Sequence, residues 1–347
     1  MPAIITHDTF GRDVYAQLYE LIGESNDECQ AFLLGNQGPD VLFYGSVNPL
    51  VRAARGLGTQ MHREKTPELI RAFVEAANLS PRIEPSKQMR IQGARMVREG
   101  AHSTPFDIAW SYVLGFACHF ILDSTLHPFI YGQQYALCDA GVPGLDRDSG
   151  HEVHATIESE LDELVLNVKR HEAIATFDPS ERILKANDYV LDIISTLYAE
   201  VAWSVFGKRI EPNAFKTSVK AFRQIQRLVY SSTGVKREAI GRVETIFRRF
   251  SFLRALSHRN VRIEQSIFDN HEHAPWTDPQ TGQTRREGFW DLFDAALGRA
   301  EADVVGLTEL KGHPERVVSA SFDELTRDEN FNGAPLSARI VATEDIF

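Results

Sequence analysis

The chain has 347 residues, of which 43% are hydrophobic, and a formal net charge of -11. This length and apolar content are enough for one large domain or two ordinary ones. The acidic balance excludes a general basic surface for nucleic acid, although an anionic phosphate can still be held through bound cations, because a metal is often the largest local charge.

Three cysteines, Cys29, Cys118 and Cys138, form no paired framework and no Cys-x-x-Cys, which suits a reducing compartment. Cys118 adjoins His119 but points to another helix face, so it reads as core. The opening stretch, MPAIITHDTFGRDVY, has no basic region followed by an apolar run. It does not read as a secretory signal, and the expected location is cytoplasmic.

Helical periodicity begins at 11–23. A Gly- and Pro-marked loop follows at 35–48, with Asp40 closing LLGNQGPD. Gly35, Gly38 and Pro39 suit a tight bend that aims this carboxylate inward, or that lets it cap the next element. His62, in GTQMHRE, stands at the start of the helix expected over 64–77, where Thr66 precedes Pro67 and Glu68 as a capping signal.

After a loop at 79–88 comes a helix at 106–123. Its longest apolar run, near 110–122, is too short for a membrane span. A loop at 131–150 leads to helices at 152–170, 181–206, 214–230 and 235–257. An irregular segment at 269–287 carries His271, Glu272, His273 and Trp276, and the three polar residues read as solvated. A helix at 289–306 comes last, and periodicity fades from about 311. Strand alternation is hard to find. The expected fold class is all-α, a compact multi-helix bundle over 1–310, with 311–347 as an extension that packs on it or is partly mobile.

His119 and Asp123 are one helical turn apart, and His127 is one turn further on. His154 and Glu158 repeat the spacing. Residues at i and i+4 share a helix face. A carboxylate in such an apolar helix is costly unless it is paired or bound to a metal. A lone histidine on an apolar face is more often a core residue than a ligand, but two such pairs together point to a polynuclear metal site. Zinc accepts imidazole and carboxylate, and a set without cysteine argues for catalysis. A di-iron carboxylate bundle needs Glu-x-x-His pairs, which His-x-x-x-Asp and the Glu152–His154 spacing do not supply.

The ordered set is His7 in ITHDTFG, Asp40, His62, His119 and Asp123 in GFACHFILDS, His127-Pro128, then His154 and Glu158. It resembles the zinc-dependent phospholipase C family, whose fold is shared with single-strand-specific nucleases of fungi and plants. The motifs span roughly 1–165, and general helical character extends the likeness to about 305. The resemblance implies an all-α bundle with up to three zinc ions. Asp40, His62, His119 and Asp123 would hold the first. His127, His154 and Glu158 would hold the second, and His7 with a bridging Asp123 the third.

Two departures from the family stand out. The family completes its third site with an N-terminal tryptophan, whereas here Pro2 would become the mature terminus once Met1 is removed. Pro2 is therefore taken as a candidate ligand; a long N-terminal tag that left metal and activity intact would count against it. The second-site histidine of the family stands six residues past the aspartate, near Ile130 here. Either His127 or His151 then serves, with His127 preferred.

The implied chemistry is phosphoester hydrolysis. Zinc lowers the pKa of a bound water to about 7, and metals about 3.5–4 Å apart can hold the attacking group between them. Asp123 would bridge the first and third ions, and Asp40 would orient or deprotonate the water. No Ser-His-Asp or phosphate-loop signature is present. Asp8, Asp13 and Glu152 are candidate acceptors for the second nitrogen of the ligating histidines. Phe43, Tyr44, Phe129, Tyr131 and Trp276 could form an apolar rim for a phospholipid or a stacking platform for a nucleotide. The expected partner is thus a phosphoester substrate, with no stable nucleic-acid partner and no transmembrane segment. The alternatives are a nuclease or nucleotidase of the same fold, and a non-catalytic metal-binding descendant.

Overall fold

In the computed structural model, residues 3–45, 54, 56–82, 103–141, 146–230, 268–319 and 321–337 are described. Helices dominate these residues. In chain order they are α1 (Ile4–Ile22), α2 (Asn26–Gly35), a 3-10 turn (Gly38–Asp40), α3 (Val41–Gly45), α4 (Leu57–Arg63) and α5 (Thr66–Leu79). Next come α6 (Pro105–Cys138), α7 (Gly150–Arg170), α8 (Pro179–Arg182), α9 (Asp188–Phe206) and α10 (Ala214–Val229). The small antiparallel pair β1 (Trp276–Thr277) and β2 (Thr284–Arg285) precedes α11 (Phe289–Thr308), α12 (Pro314–Ser319) and α13 (Asp323–Thr326). The chain is an all-α bundle, as its periodicity implies.

The axis of the bundle is α6, a 34-residue helix started by a capping box between Thr104 and Asp107, with Pro105 in the first turn. It is apolar on all sides, and such a helix must be covered all round. Helices α2, α5, α7, α9 and α11 pack against it. Its length and hydropathy would allow a membrane crossing, but 94% of its apolar window is buried inside the protein, as a core helix requires. Helix α9 is also long and apolar enough, with 44% of its window buried.

Two differences from the periodicity concern this core. Helix α1 starts at Ile4, well before residue 11, because Ile4 through Gly11 are buried on every side and show no polar face to mark a helix. Helix α6 runs through Pro128 into the expected loop and ends at Cys138. Pro128 lacks the N–H that would bond the Ser124 carbonyl. Packing around the helix sustains it across this gap.

Further along the chain, the run over 181–206 divides at residues 183–187, where Leu184 takes a positive φ of 56° and Asn187 caps α9 by accepting from the Val190 N–H. The helix expected over 235–257 lies outside the described residues. Cys29, Cys118 and Cys138 are all free thiols.

Candidate metal centre

Helix α2 meets α6 with its backbone. A Cβ at Gly115 would stand 2.0 Å from the Phe32 carbonyl oxygen, and one at Gly35 would stand 2.3 Å from that of Tyr112. No side chain fits at these two positions, so the chain leaving α2 is delivered directly onto the His119 turn. The next residues are tied down on both sides. Gln37 Nε2 donates to the Ile4 carbonyl at 3.0 Å, and the Asn36 carbonyl accepts from His119 Nδ1 at 3.1 Å. Gly38 has φ +50°, and a Cβ there would lie 2.3 Å from the His119 ring. This close approach turns the 3-10 segment so that Asp40 points inward.

Helix α1 brings His7 to the same place. The Asp162 carboxylate on α7 accepts from the Thr6 N–H at 2.7 Å, the Thr6 hydroxyl at 2.7 Å and the Ile5 N–H at 3.2 Å. These bonds satisfy donors at the helix start that have no intrahelical partner, and they complement its positive end. They also fix the turn that carries His7.

The result is three groups whose possible ligand atoms lie within 4.8 Å of one another: His7, His119 and Asp123; Asp40, His62 and His119; His127, His154 and Glu158. All eight residues are buried except His154, which is partly so. Asp123 sits among the groups and divides its oxygens. Oδ1 faces His7 Nε2 at 3.1 Å, and Oδ2 faces His119 Nε2 at 3.3 Å and His62 Nε2 at 3.7 Å. His62 Nε2 also meets Asp40 Oδ1 at 3.0 Å. In the third group Glu158 Oε1 stands 3.3 Å from His154 Nε2 and 3.7 Å from His127 Nε2.

Four of the five imidazoles share one arrangement. His62 Nδ1 donates to the Gly58 carbonyl at 2.7 Å, His119 Nδ1 to that of Asn36, His127 Nδ1 to that of Phe331 at 2.7 Å, and His154 Nδ1 to Gln134 Oε1 at 2.9 Å. Nδ1 of each ring is thereby occupied, so Nε2 is the nitrogen turned to the carboxylates. This is how histidine is presented to a metal. His119 Nε2 is fully buried with no hydrogen-bond partner among the described residues. An orphaned buried nitrogen is costly, and a cation removes the cost. The donor set and its geometry therefore fit zinc.

The field inside the cluster follows from burial against pairing. Burial pushes the His119 imidazole down to about 4, so it is neutral and has a lone pair to give. Burial opposes the ionisation of Asp40, Asp123 and Glu158; even so, His119, His127 and His7 hold Asp123 below the usual carboxylate range, and the positive charge of the chain's amino group, with the neighbouring imidazoles, holds Asp40 and Glu158 below it. Burial lowers His154. At His127 burial also works against the charged form, but Asp123 and Glu158 outweigh it and raise the imidazole to about 9. A metal entering this group must displace that proton. Zinc affinity of the His127 group is expected to rise about tenfold per pH unit from 7 and to level off near 9, with about one proton released per ion at neutral pH. Titration calorimetry in buffers of different ionisation heat reads this directly.

Pro2 lies outside the described residues. His151 is exposed and belongs to none of the three groups, whereas His127 stands in one. Asp8 pairs with Arg12 and Arg170, Asp13 with Lys169, and none of Asp8, Asp13 and Glu152 meets an imidazole among the described residues. The acceptors are instead three main-chain carbonyls and an amide, which residue type does not reveal. Gln134 could have been found by carrying helix α6 past Pro128.

The aromatic residues divide. Phe43 packs 5.3 Å from the His62 ring, and Tyr131 lies 4.9 Å from His154 and 5.7 Å from His127, so both flank the groups. Tyr44 is buried and stacks on Phe222 at 3.8 Å. Trp276 packs on Phe129 and against Gly132, positions on a different face of α6 from His127, so its observed contacts lie away from the groups. His271 is exposed and paired with Asp269 at 2.9 Å, and His273 is exposed.

A sequence model described as zinc dependent phospholipase C matches residues 6–207, more than half of the chain. No curated protein and no solved structure matches it. The matched range runs from α1 into the end of α9 and contains every residue of the three groups. The chain belongs to the zinc-dependent phospholipase C family.

Proposed function

We propose that the protein hydrolyses phosphoester bonds in a phospholipase C-type reaction, with up to three zinc ions held by the buried groups. One observation carries this reading: four imidazoles, each locked through Nδ1, aim Nε2 at three carboxylates inside one buried cluster. Because His119 has a single free nitrogen, it serves one ion only. The first ion would be held by Asp40, His62, His119 and Asp123, the second by His127, His154 and Glu158, and the third by His7 and Asp123. Zinc bound there supplies Lewis acidity toward a phosphoryl oxygen and lowers the pKa of water.

The remaining roles belong to the protein. Asp123 turns one oxygen to His7 and the other to His119 and His62, so it would be the residue shared by the first and third ions. Asp40 is held ionised below the usual carboxylate range, so it orients a water by accepting its hydrogen bond rather than storing its proton. Phe43 and Tyr131 offer apolar flanks suited to a phospholipid substrate.

Elemental mass spectrometry of tag-free protein tests the metal, and release of the headgroup from phospholipid vesicles tests the reaction. Two to three zinc per chain, with hydrolysis abolished by chelation and restored by zinc, is the expected result. Metal without hydrolysis of any phosphoester would leave a non-catalytic metal-binding protein. Cleavage confined to nucleotides or single strands would replace the lipid substrate with a nucleic one.

A further inference from the structure

The C-terminal segment from Asp328 to Ser337 lies well past the matched range of 6–207, and yet it touches both ends of the metal centre. Phe331 is fully buried. Its ring lies 5.1 Å from His62 and 5.6 Å from His119, with Phe116 and Phe120 completing its surroundings. Its N–H donates to the His62 carbonyl at 3.2 Å, and its own carbonyl accepts from His127 Nδ1 at 2.7 Å. One residue thus meets three candidate ligands drawn from two groups. The next residue reaches a fourth, since Asn332 Oδ1 accepts from the Tyr131 hydroxyl at 3.3 Å, and Tyr131 packs on His154.

The segment is built to stay in place. Asn330 Oδ1 accepts from the Asn332 N–H at 2.9 Å and the Ala334 N–H at 3.1 Å, while its Nδ2 donates to the Arg63 carbonyl at 3.3 Å. The Asn330 N–H donates back to the Ala334 carbonyl, and the Leu336 N–H to that of Asp328. Gly333, with φ +67°, lies against α6 so closely that a Cβ would meet Pro128 Cγ at 2.5 Å and the Ser124 carbonyl oxygen at 2.7 Å. The carbonyl that Pro128 leaves without a helical donor is thus where the segment docks.

We infer that Asp328–Ser337 is a clamp that positions the zinc ligands His62 and His127, with the Phe331 carbonyl fixing the His127 tautomer. Without it, His127 Nδ1 is a buried donor with no acceptor, and its ring is free to turn. Loss of such an outer partner costs about 10–100-fold in metal affinity. Phe331 and Asn330 are positioning residues and touch no reacting atom. The inference rests on the metal reading above.

The test compares wild type with Asn330→Ala, Asn330→Asp and Gly333→Val, using zinc alone as the probe. Zinc is titrated against a chelator, and the ring nitrogens of His127 are followed by NMR. Asn330→Asp keeps the acceptor for the Asn332 and Ala334 N–H groups. Expected are a loss of about 10–100-fold in zinc affinity for Asn330→Ala, a broadened or exchanging His127 Nδ1–H signal, and substantial rescue in Asn330→Asp. Gly333→Val should lose at least as much, and if it fails to fold, the Asn330 pair decides. Folded Asn330→Ala that holds zinc as tightly as wild type, with a sharp His127 signal, overturns the clamp. Wild type that takes up no zinc overturns the metal reading instead.

Discussion

Asp123→Asn is expected to remove at least one zinc per chain and to lower phosphoester hydrolysis by more than the roughly 100-fold that loss of an outer-sphere partner can cost. The asparagine is nearly the same size, so packing within α6 is preserved. The change removes one ligating oxygen and the negative charge that His7, His62, His119 and His127 face within 3.9 Å. An amide can present a carbonyl to one side only, so a bridge between two ions is lost whichever way it turns. Elemental analysis and activity should fall together. A variant with full metal and full activity would show that Asp123 bridges nothing.

Gly115→Val acts through the scaffold and leaves the ligands untouched. The Cβ would stand 2.0 Å from the Phe32 carbonyl oxygen and 3.0 Å from the Gly35 Cα, and backbone cannot step aside as a side-chain end can. Overpacking of this kind costs about 3 kcal/mol or more, which lowers the melting temperature by on the order of 5 °C in a chain of this size. If α2 moves away instead of unfolding, Asn36 and Asp40 leave His119, and zinc affinity falls even in protein that remains folded. Thermal denaturation and zinc titration of the same preparation separate the two effects. Unchanged stability and unchanged zinc binding would show that the α2–α6 contact does not set the site.

Much of the candidate site was legible because its spacing is local. His119, Asp123 and His127, and likewise His154 and Glu158, share a face wherever a helix forms, and the apolar flanks made helices there the natural reading. The helices over 64–77, 152–170, 214–230 and 289–306 were visible for the same reason, since each has a wet side and a dry side. Helices without that contrast were misjudged. The first turns of α1 are buried all round, so the periodicity begins only at residue 11 and misses the helical turns that carry His7. The stretch after Pro128 looked like a break, because proline removes a helical bond, and a local rule cannot weigh that loss against packing on every side.

Roles that depend on a distant main chain were not legible at all. Gly58, Asn36 and Phe331 act through carbonyl oxygens, which every residue has, so no side-chain type marks them. Gln134 does act through its side chain, but only once α6 is carried a full turn past the proline. Tyr44 and Trp276 have the aromatic character a rim needs, and their observed contacts, to Phe222 and Phe129, are set by packing that residue type cannot report.

By itself the sequence determined the helical class, the two ligand faces separated by one turn each, and the family to which those residues belong. Each of these is a matter of residue type and of spacing along one helix. Only the tertiary structure decided which histidine stands with His154 and Glu158, how Asp123 divides its oxygens, and that Phe331 lies against His62, His119 and His127. Those outcomes depend on helices meeting at two glycines and on carbonyls brought together from more than 200 residues away, as Phe331 is to His127. Contacts of that kind are fixed by close packing in three dimensions and leave no period in the chain.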